Sequence, residues 1–308
     1  MLRFIVRRLL VTIPTILVVI TVTWGLIKLA PGNFYSGEKR LPAAIEASIR
    51  EKYGLDKPWY QQYARTMWPI IRHLDFGTSL RFEGQSVNTI IKRSLPVSAT
   101  VGILAYLLAL IVGITAGSIA ALKQNSKWDY GSMALAMLGI SVPNFVLGPI
   151  LVLVFSLGLY WFPPSRWSPF PSRNLVLPVI TLSAIYMAYI ARLTRAGMLE
   201  VLRSDYIRTA RAKGLSEKDV VVRHALRGGL MPVISFTGPA LAFLLTGTVV
   251  VERIFVLPGL GNYFIQASLN RDEPLIIGIV AFIAITLLLM NLLVDIAYAF
   301  LDPRVRYQ

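Results

Sequence analysis

Of the 308 residues, 55% are hydrophobic and only 15% charged, the mean hydropathy is +0.62 and the formal net charge is +15. That balance excludes a water-soluble domain and a disordered chain, since neither carries so much apolar surface without a bilayer to place it in. With no cysteine, and with His73 and His224 far apart, disulfide frameworks, thiolate sites and histidine metal pairs are excluded as well.

A hydrocarbon layer about 30 Å thick needs about 20 apolar residues in helix. Six runs are of that order: 9–30, 97–122, 133–161, 175–191, 230–251 and 275–301. The first follows Arg3, Arg7 and Arg8 as a signal peptide would. It is longer than the usual apolar region and no small-residue cleavage pattern follows Ala30, so it reads as a retained first span. Between the first two spans, 31–93 reads as a small helical layer, with one helix from Pro42 to a stop at Gly54 and another after Pro58.

On the second span Ala105, Ala109, Gly113, Gly117 and Ala121 recur at every fourth place, a stripe suited to close helix packing. About three of the five can share one neighbour, because a four-residue step drifts around a 3.6-residue turn. The third run carries Pro143 and Pro149, so a kink or a broken helix is expected. Between the fourth and fifth spans, 192–228 is polar and holds nine Lys and Arg. Two helical stretches there hinge at Gly214. Ser216 with Asp219 three residues on has the spacing of a capping box, and Val220, Val221, Ala225 and Leu226 form one apolar face. Lys28 and Glu252 stand near the ends of their spans, where snorkelling to the boundary is expected. Asp295 lies about 9 Å inside the last run, where a structural pair with a basic residue is expected.

Basic residues in short loops mark the cytoplasmic side. Segments 1–8, 123–129, 192–228 and 302–308 together hold 16 of the 31 Lys and Arg, which puts both termini in the cytoplasm. Trp128, Tyr130, Tyr160 and Trp161 suit the headgroup layers. The chain thus divides into the N-terminal end and first span (1–30), an external helical loop (31–93), five further spans with the inner loop 192–228 (94–301), and a tail (302–308). The same placement explains the net charge without nucleic acid as a partner. None of the 22 glycines is followed by Lys, so no P-loop exists to cradle ATP. A lone intramembrane Asp295 does not supply the site of an ion-coupled transporter, and no nucleophile with its base is visible for a membrane hydrolase.

Several motifs, in order and spacing, carry a resemblance. They are Leu29-Ala30-Pro31-Gly32, Phe76-Gly77-Thr78-Ser79, Ser141-Val142-Pro143, the stretch from Arg195 through Asp205-Tyr206-Ile207-Arg208-Thr209-Ala210 to Gly214, His224-Ala225-Leu226-Arg227, Val251-Glu252-Arg253-Ile254-Phe255, Leu257-Pro258-Gly259-Leu260-Gly261 and Asn270-Arg271-Asp272. Together they resemble the dipeptide and oligopeptide permeases of bacterial ABC importers, above all the B-type subunit of oligopeptide systems. Arg208, Thr209 and Ala210 stand where the wider importer loop has Glu-Ala-Ala, and Gly214 fits its glycine.

The resemblance implies an all-α, six-span, type I importer fold in the bacterial inner membrane. Its implied partners are a homologous second permease, two ATP-binding subunits that hold ATP and magnesium, an external solute-binding protein and a peptide cargo. It further implies that Arg208, Thr209, Ala210, Lys213, Gly214, Leu215, Ser216 and Glu217 meet the ATPase. No catalytic, cofactor-binding or metal residue is expected in this chain, and a single sequence assigns none that touches peptide.

Overall fold

Inside a bilayer no water satisfies a free backbone N–H or C=O, so apolar runs of this length fold as helices. The computed structural model describes residues 2–30, 51, 54, 56–82, 84–164 and 166–301. In chain order the helices are α1 (Leu2–Leu29), α2 (Trp59–His73), α3 (Val87–Leu122), α4 (Lys127–Ser141) and α5 (Asn144–Leu151), the last prolonged by a π-helical stretch, Val152–Gly158. They are followed by α6 (Val176–Leu202), α7 (Asp205–Ala212) and α8. The last of these runs Glu217–Asp219, widens to a π-helical turn at Val220–Ala225 and returns to α at Leu226–Gly229. Then come α9 (Met231–Leu245), α10 (Val249–Ile254), α11 (Leu260–Asn270) and α12 (Glu273–Leu301). The helix expected from Pro42 and the tail 302–308 lie outside the described residues.

Among the described residues, five segments are long and apolar enough to cross a bilayer: Leu10–Leu29, Val87–Leu122, Arg173–Leu202, Met231–Ile254 and Glu273–Ala297. The pair α4 and α5 bends by 103° at the break after Ser141. Pro143, with no N–H to continue α4, sits just before α5 and explains the break. The pair is still one crossing. Gln124, after α3, accepts a hydrogen bond from Arg203, after α6, so both helices finish at one end, here the basic end. Because α6 starts at the opposite end, α4 and α5 have to carry the chain across.

The small-residue stripe packs as expected, and further. All five of its members are buried. A side chain at Gly113 would collide with Ile190, and one at Gly117 with Ala191 and Thr194, so α3 and α6 touch backbone to backbone there. The drift of roughly 40° per four-residue step is taken up by changing neighbours. Gly102, near the start of the stripe, faces Leu244 of α9, whereas Ala121 at its end joins a cluster with Met198 and Ile207.

At the opposite end, Lys28 in the last turn of α1 pairs with Glu273 at 2.8 Å. Glu252 does not snorkel. It is 3% exposed, its Oε1 accepts from Ser98 Oγ at 2.7 Å, and its Oε2 accepts from the Asn262 N–H in the first turn of α11 at 2.9 Å. A side chain at Gly247, Gly259 or Gly261 would run into its carboxylate. Three glycines therefore make room for the acid, and two hydrogen bonds compensate its burial. Asp272 is fully buried as well. It accepts from Ser79 Oγ, from the N–H groups of Leu80 and Arg81, and from Leu275 N–H, so it caps α12 and holds the 79–81 turn. The helix expected after Pro58 is α2, which lies along the flank of α1, with Tyr63 bonded to Thr21 at 2.8 Å and edge-on to Trp24. Asp295 is half-buried on α12.

Candidate functional site

The basic end presents one exposed helical element on a buried mount. A side chain at Gly197 of α6 would strike the Gly229 carbonyl, so the end of α8 rests directly on α6. Val220 and Ala225 of α8 are buried with Ile207 and Ala210 of α7, Met198 of α6 and Ala121 of α3, and Val221 and Leu226 pack on this cluster. The apolar face read from the sequence is thus the face that clamps α8 to the bundle.

What the clamp leaves outside is mostly polar, with Tyr206, Leu215 and Val222 exposed among the charged residues. Arg208 and Asp205 form an exposed pair at 3.3 Å, and the Thr209 hydroxyl donates to the Asp205 carbonyl at 2.9 Å. Lys213 follows the last turn of α7, and Gly214 then takes φ +75°, a left-handed conformation that favours glycine. The Gly214 N–H closes on the Arg211 carbonyl at 2.9 Å, turning the chain into α8. Ser216 caps α8 by accepting from the Asp219 N–H at 3.2 Å, as its spacing implied. Across the turn, Arg211 donates to both carboxylate oxygens of Glu217, at 2.8 and 3.3 Å. Arg208, Thr209, Lys213, Gly214, Leu215, Ser216 and Glu217 are therefore exposed together on one tip. Ala210 is the exception among the eight residues singled out. Its methyl points into the clamp, so it holds α7 down and takes no place on the outer surface.

Sequence reasoning missed the brace beside this tip. Asp129, in the first turn of α4, is 2% exposed and takes a bidentate pair from Arg195 of α6, at 2.7 and 2.8 Å. Its second oxygen also accepts from the Asn125 N–H at 3.0 Å. Such pairs are short and directional, and they fix the 123–126 turn to α6. Sixty-six residues separate the partners, so no local pattern announces them. Asp129→Ala should strand the guanidinium and cost on the order of 2–3 kcal/mol, discounted for the partial exposure of Arg195. The check is the thermal midpoint of the assembled protein in detergent, and an unchanged midpoint would remove the pair from the brace.

With this geometry in place, comparison with solved structures defines the class. A chain of the MetNI methionine ABC transporter, in inward-facing conformations, superposes with TM-score 0.58 over 70% of this chain and 97% of that one, at 14% identity. A chain of an amino acid ABC transporter with histidines gives 0.51 over 68% and 92%, at 16% identity. The fold is that of a type I ABC importer membrane subunit.

Sequence comparison then fixes the family. The model described as "Binding-prot-dependent transport system membrane comp, N-term" matches residues 1–102, and "Binding-protein-dependent transport system inner membrane component" matches 113–307. The oligopeptide transport system permease protein OppB of Escherichia coli (strain K12) is 45% identical over 307 residues, covering all of both chains. The dipeptide transport system permease protein DppB of Bacillus subtilis (strain 168) is 44% identical over 99% of this chain and 98% of its own. The chain belongs to the family of binding-protein-dependent transport system inner membrane components. It is accordingly a non-catalytic, multi-pass inner-membrane subunit, and the ATPase of such a system lies in separate subunits.

Proposed function

We propose that this chain is the permease subunit of an ATP-driven peptide importer and forms half of a transmembrane pathway with a homologous second permease. Two ATP-binding subunits, which hold ATP and magnesium, act on the tip made by α7, Gly214 and the start of α8, and an external solute-binding protein delivers the cargo. The observation that carries the reading is the full-length similarity to oligopeptide and dipeptide permeases. The buried mount under the tip supports it, because a force applied to Arg208, Lys213 or Glu217 passes through the Gly197–Gly229 contact directly into α6. Mechanistically, closure of the ATPases presses on the tip and turns α6 and the helices clamped to it as a rigid piece.

In liposomes holding both permeases, both ATPases and the solute-binding protein, uptake of labelled peptides should require ATP and magnesium. Uptake that persists without ATP and follows an ion gradient would refute this reading. Orientation has its own test, helped by the absence of native cysteine. With Ser168→Cys and Ser216→Cys made singly, an impermeant thiol reagent outside intact cells should label the first and spare the second. Equal labelling would reverse the assignment of the basic end to the cytoplasm.

A further inference from the structure

One cation of α6 is unaccounted for by the tip or the brace. Along α6 the exposed residues beyond its first turns are Tyr189, Arg192, Ala196 and Glu200, a single stripe on the half nearer the basic end. Arg192 meets no carboxylate among the described residues. Its guanidinium donates to the Met137 sulfur on α4 at 2.9 Å, a weak acceptor, and lies 6.0 Å from the Tyr189 ring. Tyr189 in turn stacks on Phe236 of α9 at 5.6 Å, and Tyr186 meets the same ring at 6.2 Å.

The depth of this charge follows from helix register. The antiparallel helices α4 and α6 are tied twice, by Asp129 to Arg195 and by the close approach of Gly139 to Ala184. These ties put Arg192 level with Gly131 or Ser132, at least a residue past the Trp128 and Lys123 pair that suits the headgroup layer. Met137 is about five residues further on in α4, and its side chain leans back toward the level of Arg192. A helical side chain leans toward its own N-terminus, and for α6 that direction is inward. Arg192 therefore does not snorkel to the near surface. It carries its charge deeper, onto an aromatic shelf, while Arg195 one turn away is neutralised.

A cation held at that depth marks a place that meets water and an anion. Resting on the peptide-importer reading above, we infer that Arg192, on the shelf of Tyr189 and Phe236 and beside Met137, is a carboxylate-binding subsite in the inner half of the pathway. It receives the terminal or side-chain carboxylate of the peptide in transit, which the guanidinium fork matches with two parallel N–H donors. The aromatic shelf supplies apolar contact to whatever side chain lies beside that carboxylate.

The same chemistry could come from a carboxylate of the second permease, and the experiment separates the two sources. The complete reconstituted complex is given one peptide with a free C-terminal carboxylate and the same peptide amidated, neither with an acidic side chain. Each rate is expressed relative to the unmutated complex, so that any preference of the solute-binding protein cancels. Arg192→Gln should lower uptake of the free-acid peptide by at least about tenfold and leave the amidated peptide near its starting rate. Arg192→Lys, which keeps the charge and loses the fork, should fall between. An equal fall for both peptides, or failure of Arg192→Gln to assemble, would assign the guanidinium to the partner's carboxylate and overturn the subsite, as would unchanged uptake of both. If the unmutated complex moves neither peptide but moves another cargo with ATP, the peptide reading fails first and takes the subsite with it.

Discussion

Gly214→Val is expected to lower uptake by up to about tenfold while leaving a complex that assembles and still binds the loaded solute-binding protein. No neighbour stands within 4 Å of the place where a side chain would go, so the substitution meets no clash. The cost is conformational. At φ +75° an L-residue is disfavoured by about 1–2 kcal/mol, and a β-branched one resists more. A 1.4 kcal/mol penalty shifts the equilibrium between the native turn and its alternatives by a factor of ten, so the productive population falls by up to about tenfold, most where the turn is only marginally favoured. Substrate-stimulated ATPase activity and uptake should therefore fall together, by up to about tenfold, with Gly214→Ala giving a milder loss. Normal stimulated ATPase and uptake in an intact Gly214→Val complex would remove the tip from coupling. A fall for one peptide class alone would make it a selectivity element.

The second large effect lies at the other end. Glu252→Ala should lower the thermal midpoint of the complex by roughly 5–10 °C. The Ser98 hydroxyl and the Asn262 N–H lose their buried acceptor, at about 1–3 kcal/mol each. The sharper test is a double-mutant cycle with Gly259→Ala, whose new methyl would occupy the carboxylate's place. In the presence of Glu252 that methyl should destabilise strongly. Once Glu252→Ala has emptied the site, it should cost little, a coupling on the order of 1–3 kcal/mol. Strictly additive effects would mean that the glycines are there for another reason.

These two sites also show how far the sequence reaches. Run length alone located the six spans, because the thickness of the hydrocarbon sets it, and Pro143 marked the break in the third without giving its angle. Local chemistry carried well at the tip. The Ser216 cap, the Gly214 turn and the apolar face of α8 depend on spacings of a few residues, which a sequence displays directly. Ends of helices were less legible. α3 begins at Val87 and α6 runs on to Leu202, both through polar residues that hydropathy discards. The π-helical stretches 152–158 and 220–225 left no trace either, since an apolar run has no period that distinguishes π from α.

What escaped entirely were contacts between distant residues. Glu252 stands at a span end, where exposure is the default, and only the folding of Gly247, Gly259 and Gly261 around it reverses that. Asp129 with Arg195 and Asp272 with Ser79 join residues that share no local pattern. Ala210 was misplaced onto the outer surface because its place in the loop motif says nothing about which way its methyl points.

The Asp272 junction has a mechanical consequence. One carboxylate is soldered at once to the 79–81 turn and to the first turn of α12, and the adjacent Glu273 is bolted to Lys28 at the end of α1. Three stretches remote in sequence thereby become a single plate. A plate joined in this way does not part along its own seams. Any movement of this end therefore carries the 79–81 turn, the start of α12 and the end of α1 together.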